Sequence, residues 1–291
     1  MRIVNAKRED ISRLTKDFVS SIDCGSNSRI LIKPNFVCLD DYPYTTAYDV
    51  INGILNALTK KGVSKITIAE APSVDNCFNF NQYGLDYETA ISRRNKFHSF
   101  IRSSATDKIA QEYFEGHQQI IEEYITYFFN SKKHYVLDYA AKYLFFEGLK
   151  VKKLKVSEKI ISIADISEFD VIINLPVLKG HSTTGFTGAL KNLFCIVYDF
   201  DKLLLHKYKL IGQALISLNE YLQGLNIHTF LDAREVPYSQ QPGAENNVVS
   251  KLDLIISSNN LVEVDKLAKK ILRDNGILRS CKDVDYLEFL S

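Results

Sequence analysis

Arg29-Ile-Leu-Ile-Lys-Pro-Asn-Phe-Val37 is a short apolar run broken by Pro34, and Lys65-Ile-Thr-Ile-Ala69 is a second one that ends at Glu70-Ala-Pro72. Between them, from Thr46, Val50, Ile51, Ile54, Leu55 and Leu58 recur at helical spacing until Gly62 closes the run. A strand, a crossover helix and another strand in that order predict a βαβ unit with a parallel pair. Upstream, Ile11, Leu14, Phe18 and Ile22 predict a helix. Downstream, Asp170-Val-Ile-Ile-Asn-Leu-Pro176 reads as a buried strand, while Val151 to Val156 and Lys159 to Ile163 read as strands that pair in a hairpin. Asn226 to Asp232 and Leu252 to Ser257 predict further strands, and Gly188 to Val197, Leu210 to Leu222 and Val262 to Arg273 predict helices. The expected fold is α/β, a mostly parallel sheet flanked by helices.

One stretch breaks this order. Of the 33 Phe and Tyr residues, 17 fall between Phe78 and Phe146, where Ile109 to Phe129 and Tyr135 to Phe146 carry helical spacing. The chain therefore divides into residues 1–76, the first part of an α/β core; 77–148, an inserted aromatic-rich helical subdomain; and 149–291, the remainder of the core. So many aromatic side chains need a surface to pack against, which predicts that the insertion covers the sheet, a site mouth, a second subunit in a homodimer, or a protein partner.

Composition narrows the functional classes. Lys and Arg number 36 against 35 Asp and Glu, a net charge of +1, and no basic stripe stands out, so nucleic-acid binding is not expected. No apolar run reaches the roughly 18 residues of a membrane span, and Met1 to Asp10 is charged where a signal peptide is apolar, which predicts a cytoplasmic protein. The five cysteines are scattered without a C-x-x-C, so no iron–sulfur cluster is expected; a divalent metal would have to be assembled by the fold.

In open α/β sheets, ligands gather outside the carboxyl ends of the strands. Those positions are polar here: Lys33 and Asn35, then Glu70, then Asn174 with Lys179 and His181, then Asp232. After the strand from Asp170, Leu175-Pro-Val-Leu-Lys-Gly-His-Ser-Thr-Thr-Gly-Phe-Thr-Gly-Ala-Leu-Lys-Asn-Leu-Phe194 reads as a glycine- and hydroxyl-rich loop entering a helix. Thr184 or Thr187 would cap that helix, leaving its first-turn amides to an anion with Lys179, His181 and Lys191 nearby. It is neither a Walker loop nor a dinucleotide fingerprint.

The phrases Ile32-Lys-Pro-Asn35, Thr45-Thr46, Ile66-Thr-Ile-Ala-Glu-Ala-Pro72, Asp170 to His181 and Thr187-Gly-Ala-Leu-Lys-Asn-Leu193 resemble the blocks of the domain of unknown function 362 family, and Asp232 and Val264-Asp-Lys-Leu-Ala268 resemble its last blocks. The resemblance implies the α/β fold and singles out Lys33, Asn35, Glu70, Lys179, His181, Lys191, Asn192, Asp232 and Asp265. Many relatives carry a ferredoxin-like module with tandem C-x-x-C motifs, which is missing here.

The expected function is a small-molecule enzyme acting on a carboxylate- or phosphate-bearing substrate. His181, Lys179 and Glu70 are its expected catalytic residues, His181 as general acid/base, and Lys33, Asn35, Thr184, Thr187, Lys191 and Asn192 its substrate-binding ones. Glu70, Asp232 and Asp265 are the candidates for a metal. The alternatives are a non-catalytic anion- or cofactor-binding protein and an accessory protein that binds a partner through residues 78–146.

Overall fold

A computed structural model of the chain describes residues 1–38, 40–71, 107–116, 118–132, 141–239 and 248–290. The first strand, β1 (Arg2–Asn5), leads into α1 (Ile11–Ser20), and then come β2 (Arg29–Lys33), α2 (Tyr48–Lys60) and β3 (Lys65–Glu70). Helix α2 buries Val50, Ile51, Ile54, Leu55 and Leu58. It stops where Gly62 takes φ +79, with Gly62 N–H donating to the Thr59 carbonyl and Val63 N–H to that of Leu58. This closure needs a left-handed residue, and glycine meets it without strain.

Helices α3 (Asp107–Glu115) and α4 (Gln118–Lys132) precede β4 (Ala141–Phe145), followed by β5 (Val151–Val156) and β6 (Lys159–Ala164), an antiparallel hairpin. Strand β7 (Val171–Asn174) leads to β8 (Lys179–His181) and β9 (Gly185–Thr187), which pair with each other. Three helices, α5 (Ala189–Leu193), α6 (Asp199–Lys207) and α7 (Ile211–Leu222), then lead to β10 (Ile227–Pro237), β11 (Val249–Ser258) and α8 (Leu261–Asp274).

The central sheet runs β1-β11-β10-β7-β2-β3-β4. Its five inner and right-hand strands, β10, β7, β2, β3 and β4, are parallel, whereas β11 and β1 add an antiparallel margin. Strands β2 and β3 are neighbours, as the βαβ reading requires. Ile30, Ile32, Ile66, Ile68, Val171 and Ile173 face one layer with α1 and α2, while Leu31, Ala69, Ile172 and Leu231 face the other with α7 and α8. Both faces are covered, which is why these strands read as continuous apolar runs rather than alternating ones.

From β2 the chain winds to β3 and β4, then returns to place β7 on the other side of β2 and continues to β10. The switch point therefore lies between β2 and β7, where Lys33 stands in register with Asn174.

Two expectations are corrected. Residues 141–145, read as part of a helix from Tyr135 to Phe146, form the strand that pairs with β3. A short apolar run satisfies either period, and the open edge of β3, which lies far away in the sequence, decides between them. The glycine- and hydroxyl-rich loop is also more ordered than expected, because Lys179–His181 and Gly185–Thr187 form a buried hairpin. Much of the aromatic stretch, residues 72–106 and 133–140, lies outside the described residues.

Helix α4 packs inward, burying Ile121, Tyr124 and Phe128 in the layer formed with α1 and α2. Phe128→Ala should therefore cost about 3–5 kcal/mol and shift the whole chain's unfolding midpoint in denaturant. A midpoint shift confined to a separate minor transition would show that α4 folds apart from the sheet.

Candidate functional site

The switch-point crevice is filled by a polar network, every member of which is buried. Asn192, on α5, uses both ends of its amide: Nδ2 donates to Asn174 Oδ1 (2.8 Å) and Oδ1 accepts from Asn35 Nδ2 (2.8 Å). Asn174 Nδ2 in turn donates to the Ala189 carbonyl (3.0 Å), so the strand end and the helix hold one another. Thr46 accepts from Asn35 N–H (2.6 Å) and donates to the Leu175 carbonyl (2.7 Å), which binds the turn after β2 to the segment after β7.

Among the described residues, the cations divide into those with hydrogen-bond or ion-pair partners and one that has only a ring contact. Lys33 is fully buried with its Nζ 2.7 Å from Glu70 Oε1, and Glu70 also accepts from the Phe36 (2.6 Å) and Ala71 (2.9 Å) amides. Lys179 donates to Asn35 Oδ1 (2.9 Å) and to the Tyr44 carbonyl, and burial lowers its pKa. Lys33 and Lys179 are thus occupied in building the crevice rather than open to a substrate. Lys191 is different. Among the described residues its Nζ makes no hydrogen bond or ion pair; it lies over the Phe194 ring, 4.4 Å from the centroid. Burial, then the neighbouring ammonium groups of Lys202, Lys179 and Lys33, bring its pKa down to about 8.

His181, at the end of β8, accepts from the Thr183 (3.1 Å) and Thr184 (3.3 Å) amides at Nδ1. Backbone amides only donate, so Nδ1 is unprotonated and the neutral ring carries its proton on Nε2. Burial, followed by the fields of Lys191, His206, Lys179 and Arg279, lowers its pKa well below the usual imidazole range. The ring is therefore a neutral donor. A general base would need the Nε2 lone pair that this tautomer lacks, so the geometry favours a hydrogen-bond role over the acid/base role expected from the sequence.

The expected helix cap is corrected as well. Gly188, not a threonine, is the N-cap of α5, and it has no side-chain cap bond. Thr184 Oγ1 donates to the Phe186 carbonyl, while Thr187 lies on β9 opposite Lys179. The first-turn amides of Ala189 and Leu190 donate to Asp265 of α8, so the protein's own carboxylate takes the place expected for an external anion. A Cβ at Gly188 would lie 2.1 Å from Asp265 Oδ1, so the close approach requires glycine.

The three candidate metal ligands have separate partners. Glu70 pairs with Lys33, Asp265 caps α5, and Asp232 binds Arg234, which also forks to Asp49 (2.9 and 3.1 Å). Among the described residues no three His, Cys, Asp or Glu side chains are grouped to hold a metal ion. The Asp49–Arg234 pair escapes a reading for catalytic types, and Asn174, read there only as a polar strand end, is a hub of the buried network. An asparagine inside an apolar strand was the one available signal, since its buried amide must find partners.

A doubly wound α/β chain with a lysine- and asparagine-filled switch point is the class that fold and site define. Residues 126–270 match the family described as Domain of unknown function (DUF362), so this segment is similar to that family. The match includes Asn174, Lys179, His181, Lys191, Asn192, Asp232 and Asp265, whereas Lys33, Asn35 and Glu70 precede it. No curated protein matches. A crystal structure of a Thermotoga maritima protein, a structural-genomics target, aligns at 11% identity and a TM-score of 0.49 over 96% of this chain, which spans 61% of that one.

Two stability tests follow from the site. Glu70→Gln leaves the Lys33 charge buried without its counter-ion and should cost about 3–5 kcal/mol, with Lys33→Met restoring part of the loss in the double variant. Additive losses in denaturant melts would show that the pair is not coupled. For Asp265, burial raises the pKa from 3.8 to about 6 against the opposing hydrogen bonds from Tyr286, Ala189 and Leu190. Between those values the folded state binds the proton more tightly than the unfolded one, so this residue makes stability fall as pH rises from about 4 to 6. Asp265→Asn should abolish that component, and a wild-type minus variant difference flat from pH 4 to 7 would refute the assignment.

Proposed function

We propose that this protein is a cytoplasmic small-molecule enzyme that binds a carboxylate- or phosphate-bearing substrate beside the filled switch-point crevice. Lys191 and the Nε2–H of His181 are its contacts to the anionic group. The observation that carries this reading is the charge imbalance. Lys33 is matched by Glu70 and Lys202 by Asp199 (2.8 Å), but neither Lys179 nor Lys191 has a carboxylate in ion-pair contact among the described residues. Burial raises the Cys38 thiol to about 11, so it stays protonated and adds no negative charge. An anion beside Lys191 would relieve the repulsion that depresses its pKa, and a neutral imidazole donor beside it would polarise a substrate oxygen without giving up a proton.

Reaction chemistry on this reading belongs to the substrate's polarised carbonyl or phosphoryl group. The inward packing of Ile121, Tyr124 and Phe128 assigns these three side chains to the common core rather than to a partner surface, whereas Tyr127 on the same helix is exposed. No helix among the described residues is long and apolar enough to cross a membrane.

Thermal-shift titration with phosphate, sulfate and small carboxylates tests the proposal on wild type and Lys191→Met. At a hundredfold excess over Kd, an anion should stabilise the wild type by about 2.7 kcal/mol, or roughly 4 °C in a chain of this size. The response should fade as pH rises through about 8, where Lys191 loses its proton in the free protein. Lys191→Met should lose it at every pH. Equal responses in the two proteins would overturn the anion site.

A further inference from the structure

The loop that fixes His181 is itself held from behind. The peptide that joins Thr183 to Thr184 is bonded on both sides: its N–H, that of Thr184, donates to His181 Nδ1 (3.3 Å), and its carbonyl, that of Thr183, accepts from Lys282 N–H (2.8 Å) and Cys281 Sγ (3.4 Å). The same C-terminal segment touches the β8–β9 hairpin at other points. A Cβ at Gly185, where φ is +82, would lie 3.0 Å from the Arg279 carbonyl, and one at Gly180 would lie 3.0 Å from Arg279 Cδ and 1.9 Å from the Tyr238 carbonyl. Both glycines therefore let the backbone and the segment close on the hairpin. Farther along, the Tyr286 ring stacks on Phe186 of β9 (6.3 Å between centroids), and its hydroxyl donates to Asp265 Oδ2 (2.8 Å), the carboxylate that caps α5. Asp283 accepts from the Ile211 (2.8 Å) and Gly212 (3.3 Å) amides and so fastens the segment to the start of α7.

We propose that residues 279–286 form a positioning strap for the candidate site, acting on His181 through the Thr183–Thr184 peptide and on Lys191 through the Tyr286–Asp265 cap of α5. The physical basis is that the tautomer of His181 depends on two amides pointing at Nδ1. The Thr184 amide keeps that direction only while the Thr183 carbonyl, at the other end of the same rigid peptide plane, is held in place. Rotation of this peptide would withdraw a donor from Nδ1 and let the proton exchange between the two ring nitrogens. The second arm works on geometry alone: Asp265 fixes the first turn of a helix of five residues, and Lys191 is its third. The strap residues touch neither the expected substrate nor a reacting atom, and their role is positioning.

The inference rests on the proposed anion site for what is positioned, but the state of His181 can be read without any ligand. Nitrogen-15 spectra of the His181 ring in the full-length wild type should show an unprotonated Nδ1 and a protonated Nε2. Replacing the Lys282 amide by an ester, which deletes the N–H and leaves every side chain in place, should convert His181 to a mixture of tautomers. Lys282→Pro is the genetic counterpart. Tyr286→Phe should leave the His181 spectrum unchanged and weaken phosphate binding, measured by calorimetry, about 3- to 10-fold through α5. A merely structural contact would lower the melting temperature without changing the ring's nitrogen shifts. An unaltered His181 spectrum in the folded ester variant overturns the strap. If the ester variant does not fold, the wild-type amides decide: slow exchange at Thr184 and Lys282 alike supports the strap, and fast exchange at either overturns it. Absence of phosphate binding in the wild type, with the tautomer still shifting in the ester variant, would overturn the anion site and leave the strap standing.

Discussion

The side-chain amide of Asn192 is the contact on which the rest of this structure depends. It bridges Asn35 after β2 and Asn174 at the end of β7, the two strands that meet where the winding of the sheet reverses. A crevice at that point opens in any doubly wound sheet, because the connections from its two sides leave in opposite directions. Here it is closed by groups that can only be buried if they satisfy one another. Losing one amide would strand the donors and acceptors of the other two, at about 1–3 kcal/mol for each orphaned group, so the network is held as a unit.

Charge is distributed around this closed centre by the same logic. A fully buried lysine is tolerated at position 33 because Glu70 lies at ion-pair distance and its oxygens are further bonded by two backbone amides. Asp232, which the sequence offers as another counter-ion, is taken by Arg234. Among the described residues what is left is a surplus of positive charge around Lys179 and Lys191, and that surplus, rather than a recognisable catalytic set, is the site's chemical character.

Helix α5 shows why a strand-loop-helix passage is a weak predictor of an anion site. The free amides at a helix start are satisfied by whichever carboxylate the fold brings near, and Asp265 on α8 arrives first. Its burial makes the charge costly, but the two amides and the Tyr286 hydroxyl offset part of that cost. The aromatic stretch teaches a similar lesson, since part of it serves the common core and its last described strand extends the sheet.

By itself the sequence determined the βαβ start, the hairpin at 151–164, the buried strand from Asp170 and the family blocks, because those features rest on local periodicity and on residue types at fixed spacing. It also placed Lys33, Asn35, Lys179 and Asn192 among the residues of interest, since polar groups at the ends of apolar strands are visible without a fold. Only the tertiary structure decided which of them remain open to a ligand. Partners such as Asn35 and Lys179 are 144 positions apart and Asp49 and Arg234 are 185 apart, and no local pattern encodes which buried donor reaches which acceptor. The same holds for Ala141–Phe145, whose strand state is fixed by the free edge of β3, and for His181, whose proton is placed by two amides that a hairpin and a distant C-terminal segment hold in position.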